Sequence, residues 1–151
     1  MLAATSNIHF QKDRMNVTDD TRNRSQLEQL ARELRKMHKQ LIDHQSKNFG
    51  DVGNPFEHLQ LVTMHPDFAW LRILSEFMVA LDERLDDKEP IDDASVTAFR
   101  QAVEGLIGPA EASQPEFRQK YLAALHDSPD TTMVHGGLRL ALGRLARPAA
   151  S

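Results

Sequence analysis

The longest regular hydrophobic pattern in the chain lies between His65 and Asp87. Leucine and methionine recur there at alternating steps of three and four residues, at Leu71, Leu74, Met78, Leu81 and Leu85. That spacing places one apolar stripe along a helix, and such a stripe is stable only when another surface covers it. The pattern predicts a central core helix that begins at His65–Pro66, ends near Asp86 and carries Trp70, the one tryptophan.

An earlier segment has the same helical spacing. Its apolar residues are Leu27, Leu30, Leu34, Met37 and Leu41. Ser25 precedes this stripe and Glu28 follows three residues later, which is the spacing of a capping box. We therefore expect a first helix from Ser25 to about Lys47. Residues 1–24 show no sustained period and are expected to form a flexible N-terminal arm.

Capping residues predict four further helix starts, three of them with proline one or two positions later. In chain order the caps are Asn54, Asp92 or Asp93, Ser113 and Ser128. Helically spaced apolar residues follow the last three caps. They are Val96, Phe99, Val103, Leu106, Ile107, Phe117, Tyr121, Leu122, Leu125, Val134, Leu138, Ala141, Leu142 and Leu145. No alternating pattern lasts five residues, so no strand is predicted and the fold class is all-α.

Short connections between the longer helices favour antiparallel neighbours. We expect an antiparallel helical bundle of four main helices plus two short helices. With 151 residues the chain has the length of one domain. The expected organisation is an arm over 1–24, a single bundle domain over 25–146 and a disordered tail over 147–151. Met15 is an alternative start to Met1.

Charge is unevenly distributed along the chain. Seven basic and three acidic side chains lie between Arg22 and Lys47, whereas eight acidic and two basic ones lie between Glu76 and Asp93. Segments of opposite sign either lie side by side or each present a charged face to a partner, and the first explanation is the simpler. The formal net charge of -4 argues against nucleic-acid binding, which normally needs a basic balance.

Composition excludes several classes of protein. The chain has no cysteine, so disulfides, thiolate catalysis and cysteine-ligated metals are excluded. No apolar run approaches the roughly 18 to 20 residues that a membrane span requires, and the N-terminus lacks a signal-peptide pattern. We expect a cytoplasmic protein without membrane partners.

Seven histidines make a metal site the first chemistry to examine. Neither Glu-x-x-His nor His-Glu-x-x-His occurs, although di-iron bundles and zinc proteases need such spacings. His38 and His44 are separated by about 240° around a helix and do not share a face. We expect neither a metal nor a cofactor. The histidines that remain as candidate ligands are His38, His58, His65 and His135.

Four polar residues flank the central apolar stripe, and polar groups beside a core are costly unless paired. They are Arg72, Ser75, Glu76 and Asp82. The structural explanation is a network with Arg32 or Arg35 of the first helix. The functional alternative makes Arg72 the anchor of an anionic ligand in a pocket lined by Phe68, Trp70 and Tyr121. The structural explanation is the simpler one.

The adjacent glycines Gly136 and Gly137 interrupt the last helical pattern, at a cost of about 1 kcal/mol each relative to alanine. Close packing against a large side chain such as Trp70 would compensate for that cost. A ligand that approaches the backbone is the alternative, and the neighbouring His135 adds to it.

The central segment resembles that of a family of uncharacterised bacterial all-helical proteins. The shared pattern is His-Pro, Phe-Ala-Trp-Leu-Arg and Leu-Ser over residues 65–75, followed by Leu-Asp-Glu over 81–83. Leu-Arg-x-x-His over 34–38 and Phe-Arg-Gln-Lys-Tyr-Leu over 117–122 add weaker support. The resemblance covers about residues 25–145 and implies a bacterial source and a compact helical fold, without a function.

No catalytic motif is recognised, so the leading hypothesis is a non-enzymatic protein-interaction module with a protein partner or a homo-oligomeric state. The alternative is a small-molecule or metal-binding bundle with a site near His65, Trp70 and Arg72. Its candidate ligand-binding residues are His65, Phe68, Trp70, Arg72, Tyr121 and His135. An exposed patch of leucine or phenylalanine would favour the interaction hypothesis, and an enclosed polar pocket would favour the ligand hypothesis.

Overall fold

The computed structural model describes residues 2–50 and 53–145, with side chains from Asp19 onward. Within these ranges the chain forms six α-helices and no strand, so the all-α prediction is confirmed. The helices are α1 (Leu2–Ser46), α2 (Pro55–Met64), α3 (Arg72–Asp86), α4 (Asp93–Ile107), α5 (Pro115–Asp127) and α6 (Pro129–Arg144). Two 3-10 segments, Lys47–Phe49 and Pro66–Leu71, precede α2 and α3. None of the helices in these ranges has both the length and the apolar character of a membrane span.

Most of the predicted caps form. The side chain of each accepts a hydrogen bond from the backbone N–H three residues later, at Asn54, Asp92 and Ser128. Ser113 does not act as a cap, because α5 starts after Gln114 without a side-chain cap. The backbone N–H of Ser113 donates instead to the carbonyl of Gly105 at 3.0 Å, which holds the α4–α5 connection against α4.

Two predicted helix starts are wrong. The first helix begins at Leu2 and not at Ser25, so Ser25 lies inside α1. The central helix begins at Arg72, because the segment Pro66–Leu71 after His65 is 3-10. The tighter winding suits a helix N-terminus, and three of its six residues are buried: Phe68, Trp70 and Leu71.

The hydrophobic core surrounds α1. All five residues of its predicted stripe, from Leu27 to Leu41, are almost completely buried. They meet residues of α3, α4, α6 and the second 3-10 segment, which all contact α1. Each fully buried leucine contributes about 1.5–3 kcal/mol relative to an exposed one, so burial of this stripe stabilises the fold substantially. The antiparallel four-helix arrangement itself stays a prediction.

Residues 19–24, which we assigned to the arm, belong to the packed part of α1. Asn23 is fully buried, and its Nδ2 donates to the carbonyl of Ile91 at 2.8 Å. The carboxylate of Asp20 accepts the N–H of Ile91 at 2.7 Å, so the backbone of the α3–α4 connection pairs with α1. The folded region therefore extends N-terminal to the predicted boundary at residue 25. The predicted tail over 147–151 lies outside the described residues.

The basic and acidic segments lie side by side, which was the simpler of the two explanations for their charge. Arg22 pairs with Asp93 at 2.9 Å, and Arg35 of α1 lies 3.6 Å from Asp82 of α3. The guanidinium of Arg24 donates to the backbone carbonyl of Leu85 in the last turn of α3. It also donates to the carbonyls of Asp87 and Glu89, which follow that helix. A guanidinium at this helix C-terminus opposes the unfavourable interaction between the nearby acidic residues and the helix dipole.

Candidate functional site

The structure divides the six candidate ligand-binding residues among three places. His65 and Phe68 share the ring of Phe49, at centroid distances of 4.7 and 5.7 Å. Trp70, Tyr121 and His135 belong to a second group, described next. Arg72 is exposed, and its side chain takes part in none of the hydrogen bonds or ion pairs of the described ranges.

Four rings form a continuous aromatic ladder through the core. Trp70 lies 5.3 Å from Phe117, Phe117 lies 5.9 Å from Tyr121, and Tyr121 lies 5.6 Å from His135, measured between ring centroids. Phe117 and Tyr121 are one helical turn apart on α5, which explains their stacking. The ladder connects the 3-10 segment to α6 through α5 and ends in a cleft on each side.

At one end of the ladder, the hydroxyl of Tyr121 lies 2.7 Å from Nδ1 of His135. Burial raises the pKa of Tyr121, against the opposing effect of Arg139. Burial also lowers the pKa of His135, and the charge of Arg139 lowers it further. Both side chains are therefore neutral near pH 7. In the tautomer in which the Tyr121 hydroxyl donates to Nδ1, the ring proton of His135 is on Nε2, and the free edge of the ring is then a hydrogen-bond donor.

We call the cavity beside this edge the His135 cleft. It has a volume of about 430 Å³, within the range of small-molecule sites. Its apolar lining residues are Ile107, Pro109, Leu122 and Leu125, and its charged ones are Arg118 and Arg139. Leu122 was predicted to face the core but is half exposed, because it lies at the edge of this cleft.

The two arginines of the His135 cleft differ in their hydrogen bonds. Arg118 donates to four carbonyls, at Glu104, Gly105, Leu106 and Ala110, and so satisfies the C-terminal end of α4. Arg139 makes one described bond, from Nη1 to the carboxylate of Glu104 at 2.8 Å. A guanidinium has five N–H donors, so Arg139 keeps several for another acceptor.

A second cavity, which we call the Trp70 cleft, lies at the other end of the ladder and has a volume of about 390 Å³. Its lining includes the polar and charged side chains of His44, Gln45, Asn48, Asp67, Lys120 and Asp127. Nε1 of Trp70 and Nδ1 of His44 are buried without a hydrogen-bond partner among the described residues. Both nitrogens are nearly inaccessible, so a ligand in this cleft would reach them only after side-chain movement.

Three of the seven exposed large hydrophobic side chains in the described ranges lie on α2, which has no buried residue in spite of its apolar sequence. Three large side chains form what we call the α2 outer face: Phe56, Leu59 and Met64, which are 66%, 62% and 76% exposed. Leu61 and Val62 on the opposite side are half-buried against the core. A groove of about 610 Å³ adjoins this face and is lined in part by Leu61, Met64, His65 and Pro66.

The histidines that remained as metal-ligand candidates do not converge. His38 and His58 each lie 2.8 Å from a serine hydroxyl, of Ser75 and Ser46 respectively. Nδ1 of His65 accepts the N–H of Asp67 and caps the 3-10 segment. The residues that the structure describes contain no group of three histidine or carboxylate side chains suited to a metal ion.

The predicted network between the first and central helices is present in part. Ser75 bonds to His38, and Asp82 pairs with Arg35, so two of the four polar residues connect α3 to α1. The side chains of Arg72 and Glu76 take no part in the hydrogen bonds and ion pairs that the structure describes.

Sequence reasoning missed Arg139, Arg118 and the α2 outer face. Arg139 follows His135 by four residues, so their position on one side of α6 was visible in the spacing. The α2 face also had a signal, because apolar residues at all angles around a ten-residue helix cannot all face one core. Comparison with protein-family models, curated proteins and solved structures finds no match to this chain.

Proposed function

We propose that the protein is a non-enzymatic interaction domain that forms a homodimer through the α2 outer face. The observation that carries this proposal is the exposure of Phe56, Leu59 and Met64 on one helix. Large apolar side chains that are grouped on a surface, and not scattered singly, are typical of interaction sites.

The three residues fall within one side of α2. Leu59 and Met64 follow Phe56 by three and eight residues, which places all of them within about 70° of the same direction at 100° per residue. Gln60 and Thr63 complete this side, and both are exposed and uncharged. The face is therefore a continuous uncharged strip a little over two turns long.

The absence of charge on this strip favours a second copy of the chain as the occupant. In a two-fold contact the same residues meet each other, so a charged side chain on the axis would repel its own copy. Glu57 carries the one carboxyl group of α2 and lies about 100° from Phe56, at the edge of the strip. Apolar centres with polar edges are characteristic of homodimer interfaces.

The groove beside the strip adds surface to the contact. Its lining consists of Leu61, Met64 and Pro66 together with Glu57, Gln60 and His65. An aromatic side chain from the second copy, such as its Phe56, would contact the apolar part of this lining. Buried aromatic residues in pockets usually contribute most of the binding energy of an interface.

The test is the mass of the full chain in solution, measured by light scattering over roughly 1 μM to 0.5 mM because dimerisation follows mass action. We expect a mass approaching twice 17.1 kDa at high concentration. Leu59→Glu should give a monomer, while Leu140→Glu, at a leucine of similar exposure on α6, should leave the dimer intact. A monomer at every concentration, or a dimer that Leu140→Glu and not Leu59→Glu disrupts, would refute the proposal.

A further inference from the structure

We propose that the His135 cleft is a binding site for a small carboxylate with an apolar body. The cleft lies among α4, α5 and α6 and shares no residue with the α2 outer face. The inference is therefore independent of the homodimer and adds a ligand to it.

Two hydrogen-bond donors line the cleft without being fully used. The free edge of His135 carries its proton on Nε2 when Tyr121 donates to Nδ1. Tyr121 is completely buried and packed in the aromatic ladder, so it holds the imidazole in one orientation. Arg139 is held on one side by Glu104 and keeps other N–H groups for a ligand. The two donors are four residues apart on α6 and so lie on the same side of it.

The charge of the lining selects an anion. Arg118 and Arg139 are both lining residues, and no carboxylate is among the residues that line the cleft in the described ranges. The carbonyl groups at the end of α4, which would otherwise repel an anion, already accept hydrogen bonds from Arg118. A planar carboxylate matches the paired donors of a guanidinium and forms charge-assisted hydrogen bonds with it.

The remaining walls require that the anion carry an apolar part. Ile107, Pro109, Leu122 and Leu125 cover the sides of the cleft, and Leu122 is 51% exposed although its helical position is part of an apolar stripe. An inorganic anion would leave these walls in water. A ring or short alkyl chain attached to the carboxylate would cover them, which is the favourable arrangement for a small-molecule site.

Benzoate is the probe, and benzamide is its neutral counterpart of almost the same shape. Binding to the full chain is followed by the shifts of backbone amide and His135 ring signals in NMR spectra. We expect benzoate to saturate with a dissociation constant below about 1 mM. We expect benzamide and inorganic phosphate to bind at least tenfold more weakly, because each lacks either the charge or the apolar ring.

Two substitutions with matched controls locate the site. Arg139→Gln should weaken the binding of benzoate at least about tenfold. Arg144→Gln, an equal change of charge on the same helix, should leave the affinity within about twofold of wild type.

Leu122→Asp places a carboxylate at the edge of the cleft and should weaken the binding of benzoate similarly, while Leu140→Asp should not. Leu122 is half exposed, so this variant decides the question if Arg139→Gln does not fold. Absence of saturation, equal binding of benzamide or phosphate, or equal effects of the variants and their controls would overturn the proposal.

Discussion

The carboxylate of Glu33 on α1 occupies space that any side chain on Gly137 of α6 would need. Its Oε2 lies 2.8 Å from the position that a Cβ atom on Gly137 would take. Glu33 is 8% exposed, and its Oε1 accepts hydrogen bonds from Gln29 at 3.0 Å and Lys36 at 3.2 Å. The glycine thus gives room to a bonded carboxylate between two helices, and the predicted packing against Trp70 is wrong.

Alanine substitutions should distinguish the two adjacent glycines. Apart from the adjacent residues and the backbone of α6 itself, no atom of the described residues lies within 4 Å of a Cβ on Gly136, so Gly136→Ala should stabilise the protein by up to about 1 kcal/mol through helix propensity. Gly137→Ala should gain clearly less, because the Glu33 carboxylate has to move. Urea unfolding measures both free energies. In a Glu33→Ala background the two substitutions should become equivalent, and equal gains in the wild-type background would contradict the explanation.

Replacing Asn23 should destabilise the fold through the α3–α4 connection. Asn23→Ala removes the Nδ2 donor from the carbonyl of Ile91, a residue that is itself almost fully buried. An unpaired buried polar group costs roughly 1–3 kcal/mol, so the free energy of unfolding should fall by that amount. Asn48→Ala, at an exposed asparagine, is the control and should stay within about 0.5 kcal/mol of wild type. A similar small change for Asn23→Ala would show that water replaces the bond.

Two leucines test the position of the core. Leu81 is completely buried on α3, whereas Leu140 is 64% exposed on α6. Leu81→Ala should cost about 2–5 kcal/mol, because it removes buried methyl groups and leaves a cavity. Leu140→Ala should change stability by no more than about 0.5 kcal/mol. Equal losses in chemical denaturation would mean that α6 contributes to the core with its outer side.

Stability should decrease in mildly acidic solution because of two half-buried histidines. Burial lowers the pKa of His38 and of His135, and Arg139 adds to the effect on His135. The unfolded chain, in which a histidine has a pKa of about 6.5, then binds protons that the folded chain does not. The free energy of unfolding should therefore fall as the pH drops through about 6.5 and level off below the folded pKa values.

Urea unfolding between about pH 8 and pH 5 measures this slope. His38→Gln should make it shallower, since glutamine does not titrate. His126→Gln, at an exposed histidine on α5, is the matched control. If His38→Gln leaves the slope unchanged, the acid sensitivity comes from other groups.

Much of the helical structure could be predicted, and the errors have physical causes. The caps at Asn54, Asp92 and Ser128 were predictable because a cap interacts with a backbone N–H only three residues away. The packing of residues 19–24 was not predictable, because they are anchored by the distant α3–α4 connection and show no apolar stripe. The 3-10 winding after His65 also escaped, since proline is compatible with either kind of helix start.

The sequence predicted several residues of the candidate site, but it did not predict which of them lie together. Tyr121 and His135 were both named, and they are hydrogen-bonded to each other. Arg72 and His65 were expected beside Trp70, but the structure places the three in separate surroundings. This separation could not be predicted from their nearness in sequence, because a 3-10 turn directs neighbouring side chains differently from an α-helix.

The sequence by itself determined the all-α class, most helix limits after α1 and the apolar stripes that face the core. These properties depend on spacings of three or four residues and on caps within one turn, which are local. Only the tertiary structure decided that Asn23 meets Ile91 across 68 residues, that Tyr121 meets His135, and that the α2 outer face has no cover within the described residues. Those outcomes depend on which apolar stripes pack against each other. That pairing is set by the apolar surface that all helices bury together and not by any single segment.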